Sequence, residues 1–434
     1  MRPLAITGAR LLDPASGREA PGALLVQGGL IADVRWGEAL PDTGEAETID
    51  AEGRLLMPGL VDLRVKTGEP GAEPKETLKS AARAAAAGGV TTLVVQPDTD
   101  PALDDPAAID FVRRRARDIG LVNVLVAGAA TRGCAGKALA EIGLMREAGA
   151  AYVTDADRPI ADSRVLRRVL SYAKGFGAVV AHRPTDLALT AGTCATEGEF
   201  AARLGLPAAP AAAERIGLER DLALAELTGA HLLVDQVTTA DSVMRLRAAK
   251  ARGVRVSASV SINHLSFNEL DVGDYRTFYR LDPPLRTEED RRALLDAVAE
   301  GVIDVVVSAH APEPAEAKRL PFEEAAPGAV GLETLLPALL TLAADAELAP
   351  GVLLRAVTSA PAALLGLGCG RLERGAPADL VLVDTGAPLR IDADALLSKS
   401  KNSPFDGRRL QGEVRLTLVG GRVAHRAGEA ALRA

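Results

Sequence analysis

GLVDLRVKTGEPG, residues 59–71, runs as a short apolar strand, VDLRV, into a turn rich in glycine and proline, and carries two cations, Arg64 and Lys66, at the strand's end. Before it, residues 1–56 alternate β-type runs such as LAITGARLL and ALLVQGGLIADV with Gly, Pro and Asp turns, the pattern of a small antiparallel unit. After it the rhythm changes. The apolar runs VTTLVV, VNVLVAG, AAYVT, AVVAH, HLLVDQ, VRVSASV and IDVVVS alternate with Ala- and Leu-rich stretches that predict helices over 75–87, 106–118, 136–148, 162–175, 212–228, 239–252 and 287–300. Together with VDLRV these make eight strands without polar alternation, as a sheet covered on both faces requires. The expectation is an α/β chain built as a (β/α)₈ barrel over 57–367. A further helix is predicted over 331–344, and 371–425 returns to β-type runs. The end segments 1–56 and 368–434 are therefore expected to pair as one small β-sandwich, while the Ala-rich 207–213 reads as a loop.

Composition narrows the function. The chain has 434 residues, 48% of them hydrophobic, enough for a large core. A net charge of −8 without long single-sign runs argues against a nucleic-acid binder or a protein of anionic membranes. Cys134, Cys194 and Cys369 are far apart and form no CxxC pair, so neither a disulfide framework nor a thiolate zinc site is indicated. The start MRPLAITGARLLDP has no secretory pattern, and no apolar run approaches the ~18 residues of a membrane span. A cytoplasmic protein is expected.

A barrel of this kind holds its chemistry at the C-terminal strand ends. In chain order those ends offer Arg64 and Lys66, then Gln96 to Asp98, Asp155, His182, Gln236, His264, and Ser308 to His310. The phrases MPGLVDLRVKTGEPG, SAHAPEPAEAKRLPFEEAAPGAVGLET and SKSKNSPFDGRRLQGEVRLTLVGGRV, set in this layout, resemble the dihydroorotases of the amidohydrolase superfamily over almost the whole chain. The resemblance implies a hydrolase that opens and closes a cyclic amide in pyrimidine synthesis, using one or two zinc ions to activate water.

Residue by residue, the resemblance also marks departures. Where the family carries a metal-binding His-x-His pair followed by a carboxylate-binding Arg, this chain has Arg64, Lys66 and Gly68. A substrate-binding Asn corresponds to Asp98. Metal-ligand positions are matched by Asp155 in TDAD and His182 in VAHRPTD, but the sixth-strand His becomes Gln236. The catalytic Asp after the eighth strand becomes Ala309, and the last His of that phrase becomes Glu313, leaving the substrate-side His310. Zinc in a hydrolytic site takes about three protein ligands plus an open position, and two matches are too few. Two cations at that place would also repel a dication by several kcal/mol.

Three readings follow from this comparison. The first is a non-catalytic dihydroorotase-like homologue without cofactor, kept as a structural partner of aspartate carbamoyltransferase, the partner implied by the resemblance; a homo-oligomer is also expected. The second is an active cyclic amidohydrolase holding zinc in a divergent site, and the third a small-anion binder using the same pocket, where Arg64 and Lys66 grip a carboxylate or phosphate. The first is the leading expectation, with Arg64 and Lys66 neutralising Asp155 and Asp98. His264 is expected to pack near the site, and His231 and His425 to be structural. Asp235 is set aside because a one-residue slip in a strand reverses its side chain. Cys194 is set aside as a nucleophile because no His neighbours it in sequence.

Overall fold

Val90–Val95, the run VTTLVV, is buried at all of its positions. Its β-branched residues fit a pleated strand, and the absence of a polar face means both sides are covered. The same holds for Leu60–Val65. With Asn123–Ala129, Ala150–Thr154, Val180–His182, Leu232–Val234, Val256–Ser261 and Val305–Val307, these strands form one parallel sheet whose spatial order is the chain order. The sheet closes where His310 bridges Val65 in parallel register and the Lys66 N–H donates to the His310 carbonyl at 2.9 Å. This is the expected (β/α)₈ barrel. The structure, a computed structural model, describes residues 2–37 and 44–428, so residue 1 and the segments 38–43 and 429–434 of the expected end units lie outside the described residues.

Side-chain caps set the helix starts. Thr77 and Ser80 form a reciprocal capping box, so the helix expected from 75 begins at Leu78 and ends at Ala87. Asp105 caps Pro106–Ile119, Asp162 caps Ser163–Gly175, Thr239 caps Ala240–Ala251 and Thr287 caps Glu288–Ala299. Ala212–Thr228 has the predicted ends. The helix expected over 136–148 shrinks to Ile142–Glu147, because Gly136 lies at φ 69° and Thr131 pairs with Leu139 as a bridge, which occupies the preceding backbone. The helix expected over 331–344 is Leu335–Asp345, and Pro350–Leu354 and Ser359–Leu365 follow it. Within the loop expected at 207–213, Ala208–Ala209 pairs with Ala195–Thr196 as a two-residue strand.

The chain ends build a separate sheet. Leu4–Asp13, Arg18–Gln27 and Leu30–Trp36 form an antiparallel meander, but Glu47–Asp50 and Leu55–Pro58 pair with Leu4–Asp13 in parallel. The meander's third strand ends on the far side of the second, so the chain comes back to the opposite edge of the first strand and enters it in the same direction. Leu55–Pro58 then pairs antiparallel with Leu380–Arg390, which joins Arg409–Val419 and Arg422–Arg426. Gly59 follows directly, and a Cβ there would collide with the Thr91 side chain at 2.1 Å, so only glycine allows the sheet to pass into the first barrel strand.

Two apolar layers hold the barrel. Val61, Leu63, Val94, Ala127, Tyr152, Leu233 and Val305 fill its interior with Ala362 and Cys369 packed against them. A larger cluster lies between the strands and the surrounding helices. Burying each Leu or Val side chain contributes roughly 1.5–3 kcal/mol, and this packing fixes the strand ends above it. Among the described residues no helix is long and apolar enough to cross a membrane.

Candidate active site

The first strand delivers Arg64 and Lys66 to the barrel mouth, and both are paired there. Arg64, 4% exposed, forms ion pairs with Asp157 and, through Nε, with Asp235 Oδ2 at 3.2 Å. Gln236, in the orientation that satisfies both groups, presents its amide oxygen 2.6 Å from Arg64 Nε and 2.9 Å from Nη2. Lys66 Nζ donates to Asp98 Oδ2 at 2.6 Å and also to Asp157. Asp157 thus bridges the two cations.

Burial alone would raise the Asp157 carboxyl, but Lys66, Arg64 and Arg183 outweigh it and hold the group well below the usual carboxylate range. Conversely, burial works against the charge on Arg64 and Lys66. Asp235, Asp157 and Asp98 reverse this for Arg64, as Asp157 and Asp98 do for Lys66, so both cations are held above their usual values. Beneath them Gln96 Nε2 donates to the Leu63 carbonyl at 3.1 Å and to the Tyr152 hydroxyl at 2.9 Å, which locks the floor.

Three strand ends reach this cluster through left-handed residues other than glycine: Ala156 at φ 54°, Gln236 at φ 58° and Ala309 at φ 51°. Such conformations cost of order 1–3 kcal/mol each and persist where surrounding contacts over-determine them, commonly at active sites. Their effect is visible in the partners. The Arg64 carboxylate is Asp157, two residues beyond the expected Asp155, because the turn at Ala156 swings the chain into the mouth. Asp235 reaches Arg64 although Gln236 does too. The regular strand stops at Val234, so the alternation that excluded Asp235 no longer applies. Ser259 Oγ donates to Asp235 Oδ1 at 3.0 Å and holds it there.

A small cavity of about 40 Å³ is lined by Arg64, Lys66, Gln236, His264, Ala309 and His310, with Asp157 on its wall. His264 is packed near the site as expected; burial, with Arg286 nearby, pushes its imidazole down to about 4. His310 accepts from the Gly331 N–H at Nδ1 and turns Nε2 toward Glu76, 3.5 Å away. Lys66 and Asp98 also open onto a second cavity of about 530 Å³, where Glu313 pairs with Lys75 at 2.9 Å. Asp157 and Gln236 open onto a third of about 390 Å³.

Asp155 and His182 line none of these cavities. Asp155 takes the Thr131 N–H on Oδ1 at 2.8 Å and the Thr131 hydroxyl on Oδ2. His182 places Nδ1 2.6 Å from Asp221 and accepts the Ile160 N–H on Nε2 at 2.8 Å. Both are saturated by protein partners. Among the described residues no three His, Cys, Asp or Glu side chains converge as a metal-ion site would need. The residues present therefore do not fit the zinc that the resemblance implies. Cys194 is buried, and burial raises its thiol, as suits an inert cysteine. His231 places Nε2 3.1 Å from the Ser257 hydroxyl.

Residues 53–242 match a family model described as dihydro-orotase-like, and 341–425 match an amidohydrolase family model. The chain is 41% identical over 98% of its length to a dihydroorotase of Anaeromyxobacter sp. (strain K), covering 99% of that protein. It is 39% identical to a dihydroorotase of Geotalea daltonii, covering 97% of this chain and 99% of the other. Among solved structures an L-hydantoinase (dihydropyrimidinase) of Arthrobacter aurescens superposes with a TM-score of 0.88 at 26% identity, covering 100% of this chain and 98% of the other. These likenesses overturn the expectation that the chain is not an enzyme: proteins similar to it from end to end are named as cyclic amidohydrolases, which points to an active one. Two matched positions are too few for zinc, but the mouth carries paired cations in the place of the lost ligands.

Proposed function

The chain belongs to the dihydroorotase-like amidohydrolases, and from that premise we propose that it opens and closes a cyclic amide of the dihydroorotate class at its barrel mouth, a step of pyrimidine synthesis. One observation carries this reading: Lys66 and Arg64 stand as fixed cations beside cavities at the C-terminal strand ends, held by Asp98 and by Asp157, which follows the left-handed Ala156.

In the opening direction a water hydroxyl adds to the ring carbonyl carbon, the carbon–nitrogen bond breaks, and a proton passes to the leaving nitrogen. Charge develops on the carbonyl oxygen, where fixed cations act most strongly. An ammonium has three N–H donors; two of those on Lys66 go to Asp98 and Asp157, which leaves the third for the oxygen. Asp98 faces the wider cavity and is the acceptor for the water's proton. Asp157, held low, stays ionised and fixes the two cations. No zinc enters this scheme, since the residues do not fit one.

Dihydroorotate opening and carbamoyl aspartate closure, assayed on chelator-treated protein, test the proposal. Turnover in either direction that falls about 10²–10³-fold in Lys66→Met supports it; no turnover in either direction overturns it. Assembly with aspartate carbamoyltransferase in the cytoplasm belongs to the same proposal, and co-purification from native lysate tests it.

A further inference from the structure

The third cavity, about 390 Å³, falls within the size of small-molecule sites and carries three arginines. Two are compensated. Arg183, 7% exposed, grips Asp282 with both terminal nitrogens, Nη1 to Oδ2 at 2.9 Å. Arg286 donates to the Thr238 hydroxyl at 2.9 Å and to the Thr196 hydroxyl at 3.1 Å, with Glu214 3.8 Å away. Arg280 differs. It donates to the carbonyls of Leu281 at 3.0 Å and Thr193 at 3.4 Å and forms no ion pair among the described residues, while its Nε, like that of Arg183, is buried without a partner. The Asp157 carboxylate on the same wall is already shared by Arg64 and Lys66.

Of the three arginines on this cavity, Arg280 is therefore the one without a carboxylate at ion-pair distance among the described residues. We propose that Arg280 binds the carboxylate of the ring substrate, so that carboxylate recognition in this chain lies on the Asp157–Gln236 side of the mouth and not beside Gly68. This rests on the reading above and sharpens its substrate class to rings bearing one negative charge. Burial lowers the Arg280 guanidinium, Asp282 offsets this only in part, and a bound carboxylate would add to that offset. The planar fork of an arginine suits a carboxylate in two-point contact. Asp157 and Gln236 border both this cavity and the small one beside Arg64 and Lys66, so a ring anchored at Arg280 presents its carbonyl toward those cations.

Dihydroorotate and dihydrouracil share the ring and differ by the carboxylate, which makes them the probes. Calorimetric titration of the wild type, Arg280→Met and Arg280→Lys should show dihydroorotate binding at least about tenfold tighter than dihydrouracil in the wild type. That preference should be lost in Arg280→Met and partly kept in Arg280→Lys, with dihydrouracil unaffected. Equal affinity for the two ligands, or an unchanged preference in Arg280→Met, overturns the subsite. Selective binding without turnover keeps the subsite and sinks the enzymatic reading; turnover of both ligands at equal KM does the reverse. No heat and no turnover removes both. Should Arg280→Met fail to melt cooperatively, the wild type against Arg280→Lys decides, and an undiminished preference in the lysine variant counts against guanidinium recognition.

Discussion

Asp157 bridges Arg64 and Lys66 at the barrel mouth, and Arg64 is the more deeply buried of the two cations, with side chains 4% and 26% exposed. Removing one partner of a buried ion pair leaves the other charge uncompensated, which costs about 3–5 kcal/mol. Arg64→Met strips Asp235, itself 7% exposed, of its ion pair with Arg64 and weakens the hold on Asp157. Denaturant unfolding should show a loss of about 3 kcal/mol. An unchanged midpoint would contradict this pairing.

Ala156 in its left-handed turn places Asp157. Glycine adopts that conformation without the Cβ penalty of about 1–2 kcal/mol. Ala156→Gly should therefore leave stability unchanged or raise it by up to about 1 kcal/mol, while kcat falls because Asp157 is held less rigidly. A melting temperature that drops with kcat unchanged contradicts a positioning role for the turn.

His264 gives a pH signature. Its folded value, about 4, lies below the free value of 6.5, because burial disfavours the imidazolium. The stability it contributes is complete above the free value and is lost as pH falls from there toward about 4, by at most about 3 kcal/mol. Asp62, pushed up to about 6 by burial, works in the opposite sense, since its stability is lost as pH rises toward that value. Comparing wild type with His264→Phe separates the two. The wild type should lose more stability between pH 7.5 and 5 than the variant, and parallel losses contradict the assignment.

Much of this was legible in the sequence. The barrel followed from continuous apolar runs, and Ala212–Thr228 kept its predicted ends because helical periodicity and a following glycine agree there. Arg64, Lys66, Gln236, Ala309 and His310 do share one cavity, and Lys66 does pair with Asp98. Asp157 and Arg280 are not singled out by the sequence, and Asp235 is weighed there only to be set aside. Asp157 and Asp235 depend on left-handed backbone at Ala156 and just past the end of a strand, which a two-residue alternation cannot anticipate. A hint lay in the second aspartate-bearing position beyond TDA, since Asp155 and Asp157 bracket a residue forced into a turn. Arg280 lies in the loop phrase YRLDPPLR, far from any barrel strand end, and only the fold brings it to the cavity. Activity was misjudged because the absence of zinc ligands says what the site lacks, and not what stands in their place.

The most direct test is dihydroorotate turnover by protein freed of metal with chelator and verified by elemental analysis, alongside the same protein reloaded with zinc. The metal-free protein should turn over, zinc should leave the rate unchanged, and Lys66→Met should lower it about 10²–10³-fold. Turnover that appears only with zinc, or in neither preparation, would contradict this scheme.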